Sequence, residues 1–221
     1  MCHCLITAGP TREFFDPVRF ITNPSSGKMG YALAAAALAA GCTVDLVSGP
    51  VAISPPQDAA FYPVTTGAEM LTRVNELFPR CHILIKAAAV CDFRPRSYSQ
   101  TKVKKANAPL TVELEPVPDI LKTIAVRKTS AQTVVGFAAE TSDIERYALQ
   151  KLTEKNLDLI VANKVGRAGD AANAFEADTN SVILLGTNNF RREYGTALKT
   201  TIARQLIHTI LEIHRAKLRS Q

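Results

Sequence analysis

Short apolar runs recur along this chain, each followed by a longer stretch whose apolar positions repeat every three to four residues. That is the pattern of strands alternating with helices. It predicts strands at Cys4–Ala8, Thr43–Ser48, Ala60–Val64, His82–Ala89, Thr133–Ala138, Leu157–Ala162 and Ser181–Leu185. Helices are predicted at Tyr31–Ala40, stopped by Gly41, at Ala68–Phe78, and from Pro118 to about Lys128. A further helix runs to Asn156 from the capping box Ser142-x-x-Glu145, and a last one spans about Gly195–Leu218, burying Leu198, Ile202, Leu206, Ile210 and Ile213. Such alternation implies a doubly wound α/β fold, a mostly parallel sheet with helices on both faces, in a single domain over 1–221. Residues 90–109 break the alternation and read as a mobile lid, with Leu110–Glu115 as a β arm.

In an open parallel sheet, ligands bind beyond the carboxyl ends of the strands, where strand order reverses. The loops Gly9–Gly27, Val90–Lys105, Glu140–Ser142 and Asn163–Asn180 all follow predicted strands, so they converge on one rim. The first is the most informative. It ends in Asn23-Pro24-Ser25-Ser26-Gly27-Lys28-Met29-Gly30 directly before an alanine-leucine helix. Strand, loop and helix start together present backbone N–H groups and the positive helix end to an anion. Ser25 or Ser26 is placed to cap that helix, and Gly27 and Gly30 admit a ligand close to the backbone. The usual phosphate fingerprints do not fit: Thr22 and Met29 occupy the positions where a P-loop needs Gly and Ser or Thr, and only Gly9 stands where the dinucleotide motif begins.

Composition places the chain among ordinary soluble α/β proteins, with 47% hydrophobic and 21% charged residues over 221 positions. No run is long enough to span a bilayer and no signal peptide is legible, so the expected location is cytoplasmic, with no membrane partner. Five cysteines, several in predicted strands, agree with free thiols in a reducing compartment. Cys2-His3-Cys4 lacks C-x-x-C spacing and a second pair, so no metal ligands are assigned. The net charge of +6 includes a local run, Arg94, Arg96, Lys102, Lys104 and Lys105, which suits a solvated loop, a polyphosphate clamp or a nucleic-acid patch. Only Phe93 and Tyr98 are aromatic there, which is poor support for base stacking, and no nucleic-acid partner is assigned.

The segments TAGPTRE, DPVRFITNPSSGKMGYALA, VDLVSGPV, AAAVCDFRP, KVKK, PDIL, VGFAAET, KLTEKNLDLIVAN and Phe175-x-x-Asp178-x-Asn180 resemble phosphopantothenoylcysteine synthetase, in order and over nearly the whole chain. The resemblance implies a Rossmann-like sheet, a homodimer, and a ligase of coenzyme A biosynthesis. In it CTP activates the carboxylate of 4′-phosphopantothenate as an acyl-cytidylate, with pyrophosphate leaving. The amine of cysteine then displaces CMP. ATP stays open as the nucleotide, and Mg2+ is the implied metal. By the same resemblance Asn23 acts on the acyl-cytidylate and contacts phosphopantothenate, and Arg19 reaches the substrate phosphate from the neighbouring protomer. Lys102 is needed to form the acyl-cytidylate, and Ala87 and Ala88 border the substrate. The implied nucleotide contacts are Gly9, Ser25, Ser26, Gly27, Lys28, Met29, Ala88, Asp92, Lys102, Pro118, Asp119, Ile120, Leu121, Phe137, Lys151 and Lys155. Cys91 and Val117 depart from the usual Ala and Asn of the family pattern. No flavoprotein domain precedes the first strand in this sequence, so a stand-alone synthetase is expected, with a separate flavin-dependent decarboxylase as pathway partner.

Two other readings compete. A nicotinamide-dependent reductase would use the same sheet, but the glycine fingerprint is incomplete and Val47-Ser48-Gly49 lacks the ribose-binding acid. A nucleic-acid-binding module would rest on the basic 94–105 stretch alone.

Overall fold

The computed structural model describes residues 1–105, 111–140, 142–164 and 177–220. Its strands, in chain order, are β1 (His3–Ala8), β2 (Arg12–Phe14), β3 (Phe20–Thr22), β4 (Thr43–Ser48), β5 (Ala60–Pro63), β6 (Ile83–Lys86), β7 (Phe93–Pro95), β8 (Leu114–Pro116), β9 (Thr133–Glu140), β10 (Leu159–Lys164), β11 (Thr179–Gly186) and β12 (Arg191–Leu198). The helices are α1 (Lys28–Ala39), α2 (Gly67–Leu77), α3 (Ile120–Ala125), α4 (Ile144–Glu154) and α5 (Lys199–Arg219).

Eight strands form one sheet in the order β12-β11-β10-β9-β6-β1-β4-β5. The pairs from β5 through β10 are parallel, and β11 and β12 are antiparallel. The chain winds outward from β1 in one direction through β4 and β5. It then returns to β1's other side for β6, β9 and β10. Strand order therefore reverses between β1 and β6.

Alternation along each strand divides the core between the two faces. Cys4, Ile6 and Ala8 of β1 pack with Leu33, Ala34 and Ala37 of α1 and Ile202, Leu206 and Ile210 of α5. Leu5 faces the other way, with Met70 and Val74 of α2, Ile120 and Ile124 of α3, and Ala148 and Leu152 of α4. The small side chains of α1 let it lie close to the sheet. Gly30 is the tightest point, since a Cβ there would stand 2.5 Å from the Ala8 Cβ and 3.0 Å from its Cα. That proximity seats the helix start directly over the end of β1.

The structure moves several predicted boundaries. The helix predicted at Tyr31–Ala40 begins earlier, at Lys28, and its N-cap is Gly27 in the left-handed region (φ 75°) with no side-chain cap, not Ser25 or Ser26. Ser25 Oγ instead accepts from the Gly27 amide at 3.4 Å, inside the loop. The capping box at Ser142 is not formed either. Helix α4 starts at Ile144 behind Asp143, also without a side-chain cap, and Glu145 is drawn to Arg191 of β12 at 3.0 Å. The helix predicted from Gly195 starts at Lys199, because residues 191–198 form the edge strand β12 and leave Leu198 exposed. Within the expected lid, β7 pairs with β8 of the arm, tied by Arg94–Glu115 and Arg96–Glu113 ion pairs. Residues 106–109 of that lid, Leu110, Thr141 and Phe175 lie outside the described residues. The predicted loop Gly9–Gly27 contains a hairpin, β2–β3. It is closed by Asp16, whose Oδ1 accepts from the Val18 and Arg19 amides at 2.8 Å each.

Substituting Gly30→Ala measures the seat of α1. Alanine gains up to about 1 kcal/mol in helix propensity, but overpacking against a backbone that cannot yield costs about 1–3 kcal/mol. Chemical denaturation is expected to show a net loss of stability; an unchanged or raised midpoint would contradict the close approach.

Candidate functional site

The loops after β1 and β6 are stitched together at the point where strand order reverses. The Ala87 amide donates to the Thr7 carbonyl at 3.2 Å, the Ala88 amide to Thr7 Oγ1 at 3.2 Å, and the Ala89 amide to the Gly9 carbonyl at 2.9 Å. The Cys91 amide donates to Thr11 Oγ1 at 3.0 Å. Asn23 completes the seam: its Nδ2 donates to the carbonyls of Ala89 at 3.2 Å and Val90 at 3.1 Å. Two carbonyl oxygens can be faced only by the donor end of an amide, so the Asn23 Oδ1 is the atom left to accept.

Above this seam lies a cleft of about 430 Å³. It brings together most of the residues singled out from the sequence: Asn23, Ser25, Ser26, Gly27, Lys28, Met29, Ala87, Ala88, Asp92, Pro118, Asp119, Ile120, Leu121, Phe137, Lys151 and Lys155. Gly9 is not on the cleft surface. It sits beneath, where a Cβ on Gly27 would come within 3.4 Å of its Cα. Ala87 and Ala88 contribute surface only, since their amides are spent on β1 and the Ala88 carbonyl accepts from Lys86 Nζ at 2.9 Å.

Arg19 and Lys102 lie elsewhere. Arg19 pairs with the buried Asp16 at 2.7 Å and donates to the Val103 carbonyl. Asp16 also accepts from the Val103 amide at 3.3 Å. Burial alone would raise the Asp16 pKa, but the Val18, Arg19 and Val103 amides and the guanidinium hold it below its ordinary value. This knot fastens the segment carrying the exposed Lys102 to the β2–β3 hairpin, outside the cleft.

The cleft favours a polyanion. Five lysines line it (Lys28, Lys86, Lys151, Lys155 and Lys199) against two aspartates, Asp92 and Asp119. The N-terminus of α1 opens into it through Gly27, Lys28, Met29 and Gly30. Several of the cations are held by carboxylates: Lys28 by Asp178 at 2.5 Å, Lys151 by Glu140 at 2.6 Å, and Lys155 by Asp119 at 2.8 Å. Asp119 also caps α3, accepting from the Lys122 amide at 3.1 Å. Burial pushes its pKa up, yet Lys155 and the capping amides outweigh that and keep it ionised.

Sequence reasoning missed Lys86 and Lys199, which line the cleft together with Asn163 and Asn180, the two ends of one of the predicted rim loops. Lys86 ends an apolar strand and Lys199 starts a helix placed four residues too early, so neither stood out as a cation near the rim. Burial depresses the Lys199 pKa, aided by the neighbouring Lys28. Burial pulls Lys86 down to about 8, aided by the charge of Lys155 and opposed by Asp119 and Asp92. Cys91 borders the cleft, but its Sγ faces the Thr11 and Ile21 carbonyls at 3.6 and 3.8 Å, and burial raises its pKa.

Lys86 gives the fold a pH signature. Its folded pKa of about 8 lies below the ordinary 10.5, so between those values the unfolded chain binds more protons and stability rises with pH. Lys86→Met is expected to abolish that rise. It is also expected to stabilise the protein at pH 7 by up to roughly 3 kcal/mol, at about 1.4 kcal/mol per pKa unit. Denaturation midpoints followed from pH 7 to about 10.5 check this; parallel profiles for the two proteins would contradict it.

The chain resembles known proteins over nearly its whole length. The chain is 47% identical over 209 residues to the coenzyme A biosynthesis bifunctional protein CoaBC of Bacillus subtilis (strain 168), covering 94% of this chain and 50% of that protein. It is 43% identical over 210 residues to the CoaBC of Vibrio cholerae serotype O1, covering 94% and 52%. It thus spans about half the length of the curated relatives it matches. A crystal structure of the C-terminal domain of CoaBC superposes with a TM-score of 0.82 at 38% identity, covering 97% of this chain and 96% of that one. Among the described residues no helix is long and apolar enough to cross a membrane. Residues 1–213 match the DNA/pantothenate metabolism flavoprotein C-terminal domain, and the chain belongs to that family.

Proposed function

We propose that the chain joins 4′-phosphopantothenate to L-cysteine, spending a nucleoside triphosphate, CTP by preference, and releasing pyrophosphate and CMP. The observation that carries this reading is the meeting, in one cleft, of a helix N-terminus, five lysines and the side chain of Asn23. The family and its CoaBC relatives supply the substrate class. The chemistry is that of a carboxylate, which resists amine attack until one oxygen is bonded to the nucleotide's α-phosphorus as a mixed anhydride and can leave with it. The lysines and α1 hold the triphosphate, and one ammonium about 4 Å from a phosphoryl oxygen is worth roughly 4 kcal/mol at an effective dielectric near 20. Phe137 and Pro118–Leu121 offer the apolar wall for the base.

Asn23 serves the second half-reaction. With its nitrogen committed to two loop carbonyls, its oxygen accepts a hydrogen bond from the incoming cysteine amine and aims it at the activated carbonyl. The cleft's carboxylates are hard oxygen donors of the kind Mg2+ takes alongside phosphates. Asp92 is the residue best suited to hold it, since Asp119 is engaged by Lys155. The ion would supply charge neutralisation for the phosphates.

Arg19 and Lys102 complete the site from the hairpin side. Exposed apolar side chains cluster on the hairpin and the β7–β8 ribbon, including Val18, Phe93, Tyr98, Val112 and Leu114. They support a homodimer in which Arg19 reaches the substrate phosphate of the neighbouring protomer. Lys102 joins the nucleotide when its segment moves. The five free thiols suit a reducing, cytoplasmic setting, and a flavin-dependent decarboxylase would act on the product.

Three outcomes test the proposal. The purified chain is expected to release pyrophosphate from CTP only when phosphopantothenate is present, and to make the amide only when cysteine is added; NADPH oxidation, or no pyrophosphate from any nucleotide, would overturn it. Asn23→Ala is expected to keep pyrophosphate release while slowing amide formation about 10²–10³-fold, the usual cost of one positioned hydrogen-bonding group. Mixing Asn23→Ala with Arg19→Ala protein is expected to restore part of the lost activity through dimers holding one intact composite site. No recovery after subunit exchange would place Arg19 in its own protomer's chemistry.

A further inference from the structure

The amino-terminal ends of the strands, opposite the cleft, carry a second constellation. Parallel register pairs His3 with Thr43, and the Thr43 amide donates to the Cys2 carbonyl at 3.0 Å, so Cys2 and Cys42 stand side by side just before β1 and β4. Cys4, two residues further along β1, returns to the same face. The three sulfurs all lie within 4.8 Å of one another. Cys4 and Cys42 are buried in the core under α1 and α5, whereas Cys2 is only half-buried.

We propose that Cys2, Cys4 and Cys42 form a binding site for a thiophilic divalent cation of the zinc type, held by three thiolates with water in the fourth position. Zinc–sulfur bonds of about 2.3 Å put tetrahedral sulfurs about 3.8 Å apart, so rotation about the side-chain torsions closes the observed spacing without moving the strands. The half-buried Cys2 gives water a path to the open position. His3 is not a candidate for it, because its side chain lies on the other face and its Nε2 meets Asp45 at 2.9 Å.

Charge also balances. Three thiolates around a divalent ion leave one negative charge, and Arg215 of α5 lies close enough to favour the thiolates of Cys2 and Cys42. Loading the ion displaces the thiol protons to solvent. Because the ligands come from the starts of β1 and β4, the ion acts as a clamp between adjacent strands and takes no part in the cleft. The inference stands whether or not the chain is a ligase.

The reduced, oxygen-free protein titrated with Co2+ tests this by absorbance. One equivalent is expected to produce the near-ultraviolet thiolate-to-cobalt charge-transfer band, which Zn2+ then bleaches. Cys81→Ala is expected to keep the band. Cys42→Ser is expected to lose it, and the half-buried Cys2→Ser, which leaves the core intact, to weaken binding by more than about 100-fold, the upper cost of losing even an outer-shell partner. Zn2+ is also expected to raise the melting midpoint of the parent protein and not that of Cys2→Ser. No band at one equivalent, binding in the parent no tighter than in Cys2→Ser, or equal melting shifts in both would overturn the site.

Discussion

The side-chain amide of Asn23, held between the carbonyls of Ala89 and Val90, ties the start of the loop before α1 to the loop after β6, which a bridge between Pro10 and Ala89 already aligns with the loop after β1. Each such hydrogen bond nets only about 0.5–1.5 kcal/mol. The seam gains its rigidity from their number and from backbone partners that cannot rotate away: Thr7, Gly9 and Thr11 on one side, Ala87, Ala88, Ala89 and Cys91 on the other. Everything else in the cleft is positioned relative to that seam. Helix α1 is fixed by the contact of Gly30 with Ala8, so its N-terminus points into the same space. The β2–β3 hairpin leaves the seam through Thr11, carrying Asp16 and Arg19 outward.

Electrostatics make the cleft receptive without leaving its cations naked. Lys28, Lys151 and Lys155 keep carboxylate partners, and a pair as exposed as Lys28–Asp178 is largely screened by solvent. A triphosphate can therefore exchange with those carboxylates at small cost and gain contacts with the helix end as well. Lys86 is different in kind. Burial lowers its pKa, and an arriving polyanion would favour its charged form.

The sequence made the fold legible where burial is two-sided. Thr43–Ser48 was read with the same limits the structure gives, and β1, β9 and β10 came within a few residues, because continuous apolar runs identify central strands. The second half of β12, Gly195–Leu198, reads as helix because an edge strand buries little: Tyr194 is its buried side chain, and its other inward positions are charged or small. The hairpin was hidden for a similar reason, although Asp16-Pro17 is a turn signal. Most of the residues that the family resemblance marks for the nucleotide line one cleft. Lys86 and Lys199 are not among the residues so marked, because their place on the rim depends on where a strand ends and a helix begins. The third cysteine beside Cys2 and Cys4 lies across a strand crossover, a proximity that spacing along the chain cannot reveal.

The central claim is that this cleft activates a carboxylate by joining it to the nucleotide's α-phosphate. Phosphopantothenate carrying ¹⁸O in its carboxylate tests it directly by mass spectrometry of the products. The account predicts one labelled oxygen in the nucleoside monophosphate after each turnover. Label retained wholly in the amide product and water, or appearing in inorganic phosphate, would contradict it.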